Sequence, residues 1–263
     1  MDILLTNDDG IDAVGLGVLA EALQEVGSVT VVAPADDQSS VGRQLSREVE
    51  VTERELGYAV SGTPADCVLV GVGGLSLDPD LVVAGCNRGA NLGEYVLGRS
   101  GTVSAAVEAA FLGIPSIATS VYFPAGEFDF ETLDPLPEHF REGVAATTYL
   151  ARHAAESAIF ETADYLNVNA PIPAECNGTM ELTHPSRVYE MDAEHNGGTV
   201  SIFDRIWEHM ATGDIADPQG SDRRAVVDGK ISVSPLTVPH ATQNNRPLAE
   251  LVDRYEPTEP TDG

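Results

Sequence analysis

Lysine is nearly missing from this chain: Lys230 is the only one in 263 residues. Lys and Arg together number 14 against 42 Asp and Glu, a formal net charge of -28. So little positive charge excludes a nucleic-acid polymer as partner, because its phosphates call for basic surface. An anionic membrane surface is excluded for the same reason. Cysteine is scarce too. Cys67, Cys86 and Cys176 are odd in number and have no C-x-x-C spacing, so they read as reduced, buried thiols of a cytoplasmic protein. No apolar run approaches the roughly 18 residues of a membrane span. The N-terminus has neither the basic nor the apolar region of a signal peptide, so none is expected. Histidine and cysteine do not cluster, which argues against zinc.

What is present in excess is acid, without low complexity. At about 1 M ionic strength the Debye length falls to about 3 Å, and surface self-repulsion is screened. At low salt the same repulsion opposes the compact state. The chain therefore reads as a protein made for high salt. With 43% hydrophobic residues it can still bury a sizeable core.

The first half alternates apolar strand-like runs with helical ones. Ile3–Leu5, Val29–Ala33, Leu81–Ala84 and Pro115–Thr119 read as strands; the β-branched continuity of Val29–Ala33 fits a parallel strand buried on both faces. Gly15–Val26, Pro64–Val72 (capped by Thr63), Thr102–Leu112 and His139–His153 read as helices. Glu48–Thr52 with Tyr58–Val60 reads as a hairpin, and Tyr165–Val168 as a further strand. Repeated β-loop-α units predict an α/β protein with a doubly wound, mostly parallel sheet. From about Met180 the pattern changes to short β segments, Val188–Met191, Thr199–Phe203, Ala225–Val227 and Ile231–Val233. Residues 1–185 are thus expected to form the catalytic core, 186–250 a β-rich extension used for oligomerisation, and 251–263 an acidic tail.

Four loops carry the chemistry. Asp8 and Asp9 end the first strand, where open α/β sheets place their ligands. For a lone Asp-Asp a turn or a helix cap would suffice. No Lys or Arg lies near them in sequence, however, so a divalent cation is the natural counter-charge. Ser39 or Ser40 and Asn87 or Asn91 add neutral oxygens, a donor set for Mg²⁺ or Mn²⁺. Ser100-Gly101-Thr102 opens a helix whose N–H groups and hydroxyls would face an anion. Metal, anion cradle and carboxylate base together make a phosphoryl-transfer constellation. Asp8 or Asp9 would take the proton of an attacking water. No aromatic-rich base pocket is evident in these four loops, so little base selectivity is expected.

The chain resembles the survival protein SurE family of metal-dependent nucleotidases. The resemblance rests on Ile3-Leu-Leu-Thr-Asn-Asp-Asp-Gly-Ile11, Val31-Val-Ala-Pro34 with Gln38-Ser-Ser40, Val60-Ser-Gly-Thr-Pro-Ala-Asp-Cys-Val68 and Asp80–Gly93. It continues through Ser100-Gly-Thr-Val103, Leu166-Asn-Val-Asn-Ala-Pro171 and Ile231-Ser-Val-Ser-Pro-Leu236, in order, over residues 1 to about 236. It implies a Rossmann-like three-layer α/β/α core and a cytoplasmic phosphohydrolase. The implied substrates are nucleoside 5′-monophosphates and, often, 3′-monophosphates; cleavage of short polyphosphate is left open. It implies homodimers or homotetramers, metal ligands at Asp8, Asp9, Ser39 and Asn87, and substrate-side positions at Asn91, Ser100, Gly101 and Thr102. The chain departs from the family at Val14, in a longer stretch between Asn91 and Ser100, and at Arg99, where an arginine adds a phosphate contact. His240 is a weak candidate for the proton donor; His139, His153, His184, His195 and His209 are expected on the surface or in ordinary polar contacts. Two other readings remain open: a haloacid-dehalogenase-like phosphatase with Asp8 as nucleophile, which usually has D-x-D spacing, and a non-catalytic nucleotide sensor.

Overall fold

In a computed structural model of the chain, residues 1–129, 132–154 and 158–238 are described, together with Arg246 and Val252. The first half runs β1 (Asp2–Thr6), α1 (Val14–Leu23), β2 (Ser28–Pro34), β3 (Val51–Glu53), β4 (Tyr58–Val60), α2 (Pro64–Leu69) and β5 (Leu81–Arg88). Next come α3 (Glu94–Leu97), α4 (Gly101–Phe111), β6 (Ser116–Tyr122), α5 (Arg141–Ala154) and β7 (Tyr165–Pro171). The last third holds β8 (Met180–Leu182), β9 (Met191–Asn196), β10 (Thr199–Asp204), α6 (Ile206–Thr212), α7 (Asp222–Val227) and β11 (Ile231–Leu236).

Nine strands form one sheet in the order β3-β4-β2-β1-β5-β6-β7-β11-β8. From β4 through β7 the pairs are parallel, and β11 joins β7 antiparallel. The central strands are apolar throughout because both faces are covered. Alternate side chains divide between two cores. Ile3, Leu5, Val31 and Val83 pack with Leu16 and Leu19 of α1 and Ala146 of α5. Leu4, Val32 and Val82 pack with Cys67 and Val68 of α2 and Ala105 and Ala109 of α4. That is the expected α/β/α sandwich. The chain leaves β1 for β2 on one side and returns to β5 on the other. The crevice beyond the carboxyl ends of β1 and β5 is therefore the topological switch point, where such sheets bind ligands.

Several elements differ from the sequence expectation. Ala225–Val227 is not a strand but the end of α7: Ser221 caps that helix by accepting from Arg224 N–H, and Asp222 supports its first turn. The Val226-Val227 pair misleads because β-branched residues favour strands only weakly. Val188–Met191 is not a strand either; pairing starts at Met191, where β9 and β10 form a two-stranded antiparallel ribbon. β8, α3 and α6 lie in stretches too short for a clear period. Nor does the core end at 185. Residues 222–236 return to it, since β11 lies inside the main sheet and Ile231 joins its core. Outside the main sheet in this region stand the β9–β10 ribbon and α6. Most of the 251–263 tail, and His240, lie outside the described residues.

Candidate active site

Asp8, Ser39, Asn87, Asn91 and Ser100 come together on one cavity of about 520 Å³ at the switch point. Asp8 leaves the end of β1 buried and meets the N-terminus of α4, where the Thr102 hydroxyl donates to its Oδ1 and the Thr102 backbone also bonds it. Gly101 permits that approach: a Cβ there would stand 2.8 Å from Asp8 Cβ and 2.9 Å from its Oδ2. The helix terminus that was to cradle an external anion thus already receives the Asp8 carboxylate. Thr102 faces Asp8 and does not line the cavity, whereas Ser100 caps α4 through Val103 N–H and does line it.

Burial, with the neighbouring Asp9 charge next, pushes the Asp8 carboxyl from its ordinary 3.8 up to about 7, against the Thr102 hydrogen bonds. Asp9 turns differently. Its Oδ2 accepts from Arg88 N–H at 2.9 Å, and the Arg88 guanidinium stands 3.9 Å from Oδ1. Burial raises its pKa too, and Arg88 draws it back. Asp9 lines a smaller adjoining cavity of about 250 Å³ with Asp12 and Asp37. A cation remote in sequence therefore does approach this carboxylate pair, because β5 lies beside β1 in the sheet.

Ser39 is exposed, and its hydroxyl and N–H both donate to Asp37 Oδ1, at 2.6 and 2.7 Å. Asn87 commits its amide nitrogen to Gly89 O at 2.6 Å, so its oxygen is the atom on offer. Asn91 is clamped from β7: Asn169 Oδ1 accepts from its N–H at 2.8 Å, while Asn167 and Asn169 amides donate to its carbonyl. Asn91 Nδ2 donates to Ser120 Oγ. The donors around Asp8 fit a hard divalent cation: carboxylate and neutral oxygens, without thiol or imidazole, beside a buried carboxylate that no guanidinium or ammonium pairs with among the described residues. Among the described residues no three His, Cys, Asp or Glu side chains are placed to hold a metal ion by themselves, so neutral oxygens and water would complete the shell.

The rest of the cavity wall escaped the four-loop reading. Tyr95, Tyr122, Phe123, Phe128, Met191 and Trp207 line it, with Arg88, Arg99 and Asp204. None of these rings stands in the four loops; they come from α3, β6, the loop after it, and α6. Two residues of the ribbon, Met191 and Asp204, and Trp207 of α6 also bring the 186–250 segment to the site. The Tyr95 hydroxyl donates to Asp204, and the Arg99 guanidinium lies 5.5 Å from the Tyr95 ring centroid. Trp207, the single tryptophan, was the one sequence signal for this wall. The described histidines sit elsewhere: His209 pairs with Glu190 at 2.6 Å, and His139 packs edge-on to Phe123 and Phe128.

Fold and site define a class: a doubly wound α/β protein with an oxygen-rich acidic centre and an aromatic-walled cavity at its switch point. The family model described as "Survival protein SurE" matches residues 3–192. A 5′-nucleotidase SurE of Natronomonas pharaonis is 64% identical over 257 residues, covering 97% of this chain and 100% of that protein. One of Haloarcula marismortui is 59% identical, covering 97% and 95%. The crystal structure of the SurE protein from Aquifex aeolicus superposes with a TM-score of 0.74 at 32% identity, covering 96% of this chain and 98% of that one. The chain belongs to the survival protein SurE family.

Proposed function

We propose that the chain is a metal-dependent phosphohydrolase that releases phosphate from nucleoside 5′-monophosphates in the cytoplasm. The observation that carries this reading is one cavity lined both by Asp8, Ser39, Asn87 and Ser100 and by Tyr95, Phe123 and Trp207. The first set suits a phosphate with its cation, the second a nucleoside. The names of the relatives, 5′-nucleotidase SurE, support it.

Asp8, Asp9, Ser39 and Asn87 would hold the cation, with Asp9 turning from Arg88 or acting through water. Mg²⁺ or Mn²⁺ there supplies charge stabilisation at a phosphate oxygen and a well-placed water. Asn91 and Ser100 would bind the phosphate, and Asp8 would take the water's proton. The helix dipole and the Thr102 hydroxyl orient that carboxylate. Asp8 as a covalent nucleophile is the weaker reading, because the residue two beyond it is Gly10 and one of its oxygens is engaged by Thr102. Phosphate release from AMP with Mn²⁺ and its loss with EDTA is the test. Cation-dependent AMP binding without turnover would instead favour a nucleotide sensor, and preference for a sugar phosphate would overturn the substrate. 3′-Monophosphates and short polyphosphate belong in the same panel.

A homodimer or homotetramer is part of the proposal. The β9–β10 ribbon exposes Ile202 and Val200, at 72% and 56%, outside any larger sheet. A two-stranded ribbon is marginal alone, which supports its use as a contact.

A further inference from the structure

Behind the aromatic wall lies a buried charge cluster that does not itself line the cavity. Asp222 and Arg223 open α7, and both are wholly buried. Asp222 Oδ2 accepts from Gly93 N–H at 2.7 Å, across 129 residues of chain. Its Oδ1 accepts from Ser186 N–H at 2.9 Å and Arg223 N–H at 2.8 Å. The Arg223 guanidinium donates to Val188 O at 2.8 Å and Leu92 O at 3.4 Å, lies 3.8 Å from Asp217 Oδ1, and stacks 5.2 Å from the Tyr95 ring centroid. Gly93, at φ +87°, makes the room: a Cβ there would stand 2.3 Å from Arg223 Nη2. The same anchor fixes 186–188, and the neighbouring Tyr189 meets Tyr95 edge-on at 5.0 Å.

What the cluster holds is selective. It grips residues 92–95 and the back of the Tyr95 ring. Asn91 is clamped separately by Asn167 and Asn169. Ser100 Oγ is fixed at the start of α4 by Val103 N–H while its own N–H donates to Val96 O of α3, and Asp8 is fixed by Gly101 and Thr102. Burying these charges is weakly stabilising at best, since desolvation offsets the attraction. Its effect is to fix geometry.

We infer that Asp222 and Arg223 are positioning residues that set nucleoside recognition by holding Tyr95 in the cavity wall, while leaving the phosphate and cation end to other anchors. This rests on the nucleotidase reading above. Replacing Asp222 by Asn turns an NH₂ group toward one of the three N–H donors it accepts from, a donor facing a donor in a dry site. Arg223→Lys keeps the charge but loses the planar fork and the face on Tyr95.

The test uses the full chain with Mn²⁺ in molar KCl. Adenosine and inorganic phosphate are titrated separately by calorimetry, and KM and kcat are measured for AMP. Asp222→Asn is expected to weaken adenosine and raise the AMP KM roughly tenfold or more, with kcat and phosphate affinity unchanged within about threefold. Arg223→Lys is expected to do the same, and it is the variant read if Asp222→Asn does not fold. Parallel loss of phosphate affinity and kcat overturns the inference, since the cluster would then support the whole site. Unchanged adenosine affinity and AMP KM in a folded variant overturn it equally, as does failure of both variants to fold. A wild-type protein that neither binds adenosine nor hydrolyses AMP removes the nucleotidase reading first, and this inference with it.

Discussion

Asp8 is a carboxylate held in two opposing ways. Burial and Asp9 disfavour its charge, while the start of α4 and Thr102 favour it. A bound cation would settle the balance toward the charged form. Asp8→Asn is therefore expected to lower turnover by at least about a hundredfold, as loss of a cation ligand and base together, with calorimetry showing weakened Mn²⁺ affinity. Near-normal turnover with full Mn²⁺ affinity would remove the site assignment. In the cation-free protein the same change should stabilise. The folded pKa lies above the ordinary value, so Asp8 favours the fold in acid and that contribution is lost as pH rises through about 7. The melting temperature of apo Asp8→Asn should exceed that of the wild type more at pH 8 than at pH 5. Gly101→Ala should also impair turnover, because the methyl group would displace Asp8 or α4; a variant with unchanged activity would show the contact to be soft.

Elements explain why the site has the walls it has. α3 is one turn long and is held by distant partners rather than by its own propensity. α6 brings Trp207 to the cavity from beyond the ribbon. Trp207→Ala should raise the KM for AMP roughly tenfold, the worth of one base–aromatic contact, with kcat little changed. Equal kcat/KM on AMP in variant and wild type would show that no base rests there. α2 offers a contrast, since its start is local. Thr63 Oγ1 accepts from Asp66 N–H and the Asp66 side chain returns to Thr63 N–H, a complete capping box. Thr63→Ala should cost about 1 kcal/mol, or about 2–4 °C of melting temperature for a chain of this size. Activity per folded molecule should not change.

At the scale of the whole molecule, charge dominates. A net charge of -28 on 27.7 kDa leaves few cations to pair, and the lone Lys230 is engaged with Glu181 at 2.6 Å. The unpaired remainder repels until salt screens it. The melting temperature should rise steeply from low to molar KCl, in keeping with relatives from halophilic archaea; a flat profile would remove the argument. Light scattering in molar KCl should give a dimer or tetramer mass, and a monomer mass would count against the ribbon as a contact.

The α/β/α architecture and the Asp8–Asp9 and Asn87 loops were legible in residue order, because buried parallel strands are continuously apolar and their carboxyl ends carry the polar residues. The helix cap at Thr63 and the acidity were legible for similar reasons: one is local, the other a property of composition. Pairings across long stretches of chain were not. Arg88 beside Asp9, the Asn167–Asn169 clamp on Asn91, and the Asp222–Gly93 bond join residues 76 to 129 positions apart. No pattern of period 2 or 3.6 encodes them. Apart from the single tryptophan, the aromatic wall was invisible for the same reason, since Tyr95, Phe123, Met191 and Trp207 stand in four separate segments. They share one cavity because the main sheet and the α7 anchor bring those segments to the same crevice.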